Sequence, residues 1–149
     1  MPQSKASVAL LQRGFTLIEI MVVVVIIGLL AAIVAPNVIG NIDVAAVNRA
    51  KQDIRSIETA LNLYRLDNFR YPSEEDGLQA LVRNPGATSA PNWKPGGYLR
   101  QIPVDPWNNP YEYNFPGQRG GDFDIYSLGA DGQEGGEQID ADIGNWALD

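Results

Sequence analysis

Hydrophobic residues follow two different rules along this chain. From Phe15 to Ala35 nearly every position is apolar, interrupted by Thr16, Glu19 and Gly28. Further on, Val47, Ala50, Ile54, Ile57, Leu61 and Tyr64 recur at intervals of three and four, with Asn48, Lys51, Arg55, Glu58, Asn62 and Arg65 between them. The first pattern predicts a helix that is apolar all round and long enough to cross a bilayer core of ~30 Å. The second predicts an amphipathic helix over about 42–66 with one face on a core, because 3.6 residues per turn bring those apolar positions together. Pro36 and Gly40 stand between the two. Proline removes a backbone donor and crowds the carbonyl four residues back, so a kink or local melting is expected there.

Residues 68–97 are rich in Pro, Gly, Asn and Ser and read as a loop. One short helix is expected within it, with Ser73 as N-cap, Glu74, Glu75 and Asp76 in the first turn, and Leu78, Leu81 and Val82 as its apolar face. Three strand-like pieces follow at 98–102, 111–115 and 123–128, spaced for an antiparallel meander packed on the amphipathic helix. Between the first two, Asp105-Pro106-Trp107-Asn108-Asn109 predicts an Asx-type turn, with Asn108 tolerating positive φ. Trp107 is expected to plug the base of the sheet.

Charge adds an orientation. Eighteen acidic residues face eleven basic ones, which argues against a nucleic-acid partner. From residue 120 to the end there are eight acids and no base, whereas the segment before the apolar run carries only Lys5 and Arg13. Such an asymmetry favours the N-terminus inside and the acidic end outside. Cysteine and histidine are both absent. This removes the His-dependent triads, the common zinc sites and any disulfide, so another device must pin the loops. No pair of carboxylates is placed for acid–base work, and the chain reads as non-enzymatic.

Glu19 is the anomaly of the apolar run, since a charge deep in a bilayer costs roughly 2.5–3.5 kcal/mol on insertion scales. A plain anchor leaves it unexplained. A secretory signal cut after Ala35 would put Pro36 first in the mature chain and an acid inside the apolar stretch. The remaining plain option is a carboxylate snorkelling to the membrane interface.

Arg13-Gly14-Phe15-Thr16-Leu17-Ile18-Glu19 resembles the class III signal of type IV pilins and pseudopilins. The resemblance implies a leader at 1–14, cleavage by a prepilin peptidase between Gly14 and Phe15, and N-methylation of Phe15. It further implies that Glu19 pairs with the freed Phe15 amine of a neighbouring subunit during assembly, which would relieve a strained buried charge. The turn at 103–111 is similar to the Asp-Pro-Trp-Gly-x-Pro-Tyr hairpin of the major pseudopilins of type II secretion systems, departing from it at Asn108. Tyr126-Ser127-Leu128-Gly129-Ala130-Asp131-Gly132 and Asp140-Ala141-Asp142-Ile143-Gly144-Asn145-Trp146 resemble the calcium loop of the same family. That likeness implies side-chain ligands from Asp131 and from Asp140 or Asp142, with carbonyls from Leu128 and Gln133. The loop's own composition agrees, being flexible, oxygen-rich and free of basic residues, although it is not an EF-hand. A solvated acidic loop without metal is the plain alternative.

The resemblance implies an α+β, type IV pilin-like fold: a long N-terminal helical spine, half transmembrane and half amphipathic, on a small antiparallel sheet with a C-terminal calcium loop. Residues 1–14 would be leader, 15–35 the transmembrane and assembly helix, and 36–149 a periplasmic head. The implied role is that of a major pseudopilus subunit in the bacterial inner membrane. It would polymerise with copies of itself, with minor pseudopilins and an inner-membrane assembly platform as partners. A type IV pilin forming a surface fibre and a membrane-anchored calcium-binding module are the alternatives.

Overall fold

The computed structural model describes residues 14–148, and over 34–41 the backbone alone. Two compact units divide the chain, Met1–Gly40 and Asn41–Asp149. One helix, α1, runs Leu17–Asn68. Its backbone stays helical through Pro36 and Gly40, so the expected melting does not occur. A proline withdraws one donor from the ladder, and the turns on either side keep theirs. The leader expected at 1–14 lies outside the described residues apart from Gly14.

In the first unit the described apolar side chains of α1 are exposed on every face, from Leu17 at 79% to Ile26 at 50%. Among the described residues no helix is long and apolar enough to cross a membrane. The described side chains of the apolar run end at Ile33, so the expected span at 15–35 extends beyond them.

In the second unit α1 buries the stripe read from its periodicity. Ala50, Ile54, Ile57, Leu61 and Tyr64 are all but inaccessible, and Val47 packs at the edge of the same cluster. The helix ends at Phe69, which takes φ +61° while its N–H bonds the Arg65 carbonyl at 2.7 Å. Asn68 is buried here. Its amide donates to the Tyr64 carbonyl (3.1 Å) and to the Tyr98 hydroxyl (3.0 Å), and its oxygen accepts from the Asn92 N–H (3.1 Å). That one side chain ties the 84–97 loop to the end of the helix.

The short helix expected to start at Ser73 begins later: residues 74–77 form a turn, in which the Ser73 hydroxyl accepts from the Asp76 N–H at 3.1 Å. Gly77, at φ +56°, then turns the chain, and a 3-10 turn over Leu78–Leu81 buries Leu78 and Leu81. Glycine suits that backbone because it carries no Cβ.

The sheet is antiparallel and three-stranded in the order β1 (Glu112–Asn114), β2 (Asp124–Ser127), β3 (Ile143–Gly144). The expected strand at 98–102 is not one of them. The Tyr98 and Leu99 N–H groups both donate to the Leu81 carbonyl, at 2.8 and 3.1 Å, which fastens this segment to the 3-10 turn rather than to a sheet edge. The third strand is instead Ile143–Gly144, with Tyr126 opposite Gly144 and Ser127 opposite Ile143. Asn145 extends that pairing with its side chain, accepting from the Ile125 N–H at 3.1 Å and donating to the Phe123 carbonyl at 3.0 Å.

The predicted Asx turn is present. Asn108 takes φ +72°, and Asp105 Oδ1 accepts from the Trp107 and Asn109 N–H groups at 3.0 and 2.7 Å. Its other oxygen, buried, accepts the Ser127 hydroxyl of β2 at 2.6 Å. Trp107 packs against the core as expected. Burial pushes the Tyr111 and Tyr113 phenols above the usual tyrosine range. The Asp53 carboxylate, 3.1 Å from the Tyr111 hydroxyl, adds to the effect at Tyr111.

Two predictions follow from this packing. Asp105→Ala leaves two turn N–H groups and a buried hydroxyl unpaired, and should cost about 2–4 kcal/mol in chemical denaturation; a loss below half a kcal/mol would contradict this role. Because the two phenols have raised folded values, their contribution is complete below the unfolded tyrosine value of about 10 and is lost as pH rises through the higher folded values. The melting temperature should therefore fall above about pH 10, with a shallower fall in Tyr113→Phe. Parallel curves would show that these phenols are not responsible.

Candidate functional site

The first candidate site is the start of α1. Gly14, Phe15 and Thr16 precede the helix without regular secondary structure, and no atom lies within 4 Å of where a Cβ on Gly14 would stand. Phe15 is 82% exposed. Glu19 folds back on Thr16. Its Oε2 accepts from the Thr16 N–H at 3.0 Å and from the Thr16 hydroxyl at 3.1 Å, while the Glu19 N–H donates to the Thr16 Oγ1 at 3.3 Å. This is a reciprocal capping box, which satisfies helix-terminal donors that no carbonyl can reach. The Thr16-x-x-Glu19 spacing carried that signal, and the sequence reading passed over it in favour of membrane chemistry. Gly14, Phe15, Thr16 and Glu19 line one open depression.

The second candidate site is the loop from Gly129 to Asp142. Gly129 lies at φ +69°, and a Cβ on it would come within 2.6 Å of the Asp140 backbone, so only glycine fits. Its carbonyl accepts from the Asn109 side chain at 3.3 Å, joining this loop to the Asx turn. Across the loop the Ala130 N–H donates to the Ile139 carbonyl at 2.9 Å, and the Asp142 N–H to the Gly135 carbonyl at 3.1 Å. Asp131 and Gln133 are exposed, and Asp131 Oδ1 accepts from the Gln133 N–H at 3.0 Å. Leu128 and Asp140 are half-buried.

Asp142 differs from the other acids. Its side chain is only 11% exposed, and its Oδ2 accepts from the Gly135 N–H at 3.1 Å and lies 3.8 Å from an Arg119 guanidinium nitrogen. Its Oδ1 is buried with no hydrogen-bond partner. A buried carboxylate oxygen without a donor is costly, and a cation is one way to satisfy it. Oxygen donors in a flexible loop suit calcium, which takes carboxylates and carbonyls together. Among the described residues, however, no three acidic side chains converge as a metal cluster. The unsatisfied Asp142 oxygen is the feature of this loop that suits a cation, and such an ion would need carbonyls rather than further carboxylates beside it. Of the two acids left open by the sequence, Asp142 has the unsatisfied oxygen. The sequence reading missed Arg119, which stacks 4.2 Å above the Trp146 ring, and missed Asn109, Ser127 and Asn145 as the ties that hold the loop to the sheet.

Comparison with known proteins agrees at both ends of the chain. The model for type II secretion system protein G matches residues 37–146, and that for the prokaryotic N-terminal methylation motif matches residues 10–35. The type II secretion system core protein G of Pseudomonas aeruginosa is 60% identical over 91% of this chain and 95% of its own length. Its counterpart from Vibrio cholerae is 52% identical over 92% and 93%. A crystal structure of the major pseudopilin from the type 2 secretion system of enterohaemorrhagic Escherichia coli superposes with a TM-score of 0.64 at 43% identity, covering 74% of this chain and 95% of that one. These relatives favour the pseudopilin reading over a surface-fibre pilin or an anchored calcium module. The α+β, pilin-like fold expected from the sequence is the fold observed, and the chain belongs to the type II secretion system protein G family, the major pseudopilins.

Proposed function

We propose that this chain is a structural subunit that polymerises into a helical pseudopilus and so helps move folded proteins across the outer membrane. The observation that supports this best is an α1 whose first half is apolar on every described face and exposed, joined to a head that has its own core. Such a helix is stable only in lipid or against the helices of other subunits, and transfer between two apolar surroundings is close to balanced. The same surface thus serves as a single-pass inner-membrane anchor before assembly and as a filament core afterwards. The head would face the periplasm, and minor pseudopilins and an inner-membrane assembly platform would act at the filament base and tip.

Gly14 and Phe15 flank the proposed cleavage, which frees an amine at Phe15 that is then methylated. Glu19 is the acid that would meet this amine on a neighbouring subunit. Its Oε2 is held by both Thr16 donors, so the incoming amine either uses Oε1 or displaces Thr16. A Phe15-to-Glu19 contact between successive subunits is head-to-tail and non-closing, as a helical filament requires.

In the head, Asp131 and Asp142 would hold calcium with the carbonyls of Leu128 and Gln133, and Asp140 is the alternative carboxylate. When bound, the ion would supply a divalent charge that draws the loop oxygens together, replacing the disulfide this chain lacks.

Replacing Glu19 by Leu should abolish filaments in cells while the head still folds; undiminished assembly would refute the pairing. A thermal melt of the purified protein should rise on adding calcium and fall in excess chelator, and superimposable curves would remove the metal.

A further inference from the structure

Arg119 belongs to none of the three sequence signatures quoted above, yet among the described residues it is the one basic side chain paired with the acidic loop's buried carboxylate. It projects from the turn between β1 and β2, with its guanidinium stacked 4.2 Å above the Trp146 ring and a nitrogen 3.8 Å from Asp142 Oδ2. Trp146 is held in turn against Gly144 of β3, where a Cβ would collide with the indole. The aromatic face therefore fixes the cation beside Asp142, and Arg stacks in this way better than Lys because its guanidinium is flat and weakly hydrated.

We propose that Arg119 is a positioning residue that stands in for calcium, neutralising Asp142 while the loop is metal-free and competing with the ion for that carboxylate. This rests on the calcium reading above. Three observations support it. The Asp142 side chain is only 11% exposed, so its charge needs a partner at all times. The guanidinium approaches Oδ2, whereas Oδ1 on the same carboxylate is buried and unpartnered, leaving an oxygen to receive the ion. No other basic residue occurs from residue 120 to the end of the chain, so no second cation of that stretch can substitute. A metal-free subunit would thereby keep its C-terminal loop folded until calcium is met, at the expense of weaker calcium binding.

The test uses the full-length chain in detergent, titrated calorimetrically with calcium chloride and melted with and without chelator. Arg119→Gln should bind calcium about three- to fivefold more tightly, the range of a partly exposed ion pair. Its melting temperature should drop in chelator and return close to wild type in saturating calcium. Arg119→Lys, which keeps the charge, should restore the wild-type calcium affinity in part. A merely structural arginine would lower the melting temperature equally in both conditions and leave affinity unchanged, and either result overturns the proposal. Weaker calcium binding by Arg119→Gln also overturns it. If the wild-type chain itself takes up no calcium, the calcium reading falls together with this one; if it binds and Arg119→Gln binds identically, only this inference falls.

Discussion

The head depends on one buried carboxylate. Asp105 closes its own turn by accepting two backbone N–H groups and grips β2 through the Ser127 hydroxyl. Ser127 in turn receives the Gly129 N–H at 3.2 Å, which is where the C-terminal loop begins. The three short strands add only Ile125 and Ile143 to the buried core cluster, with Tyr113 packed against it, and no cysteine ties them. Polar groups placed where water cannot compete supply the specificity instead. Buried Asn68 at the end of the helix and half-buried Asn145 at the last strand act in the same way, so side-chain amides and carboxylates carry much of the fastening of the long loops.

What could be read in advance follows from the range of the forces involved. The stripe from Ala50 to Tyr64 was legible because a single helix fixes its own period, and Asn108 because a turn's backbone preference is local. The strand at 98–102 was misread because its β-favouring residues find their partner in Leu81, a carbonyl that no local rule connects to them. Ile143–Gly144 was invisible as a strand, since two residues carry no alternation. Its pairing is completed by an asparagine side chain. At the candidate metal loop, composition could point only to a stretch of oxygen donors, and three-dimensional placement is what distinguishes Asp142, with its unsatisfied oxygen, from Asp140, whose backbone lies under Gly129.

The two halves of α1 obey opposite requirements. In the head, the stripe is covered, and the remaining faces are mostly polar with a few exposed apolar residues, Leu63 and Leu66 among them. In the first unit, the described faces are all apolar and uncovered, so that stretch has no stable state of its own in water. The family membership and this exposure point the same way: the first half of α1 needs cover from outside the chain.

The capping box has one more implication. By fixing where coiling of the backbone starts, Thr16 and Glu19 leave the Gly14–Phe15 peptide bond in unwound chain. A protease that acted on that bond, as proposed above, would meet a substrate outside the helix and would have no turn to unravel.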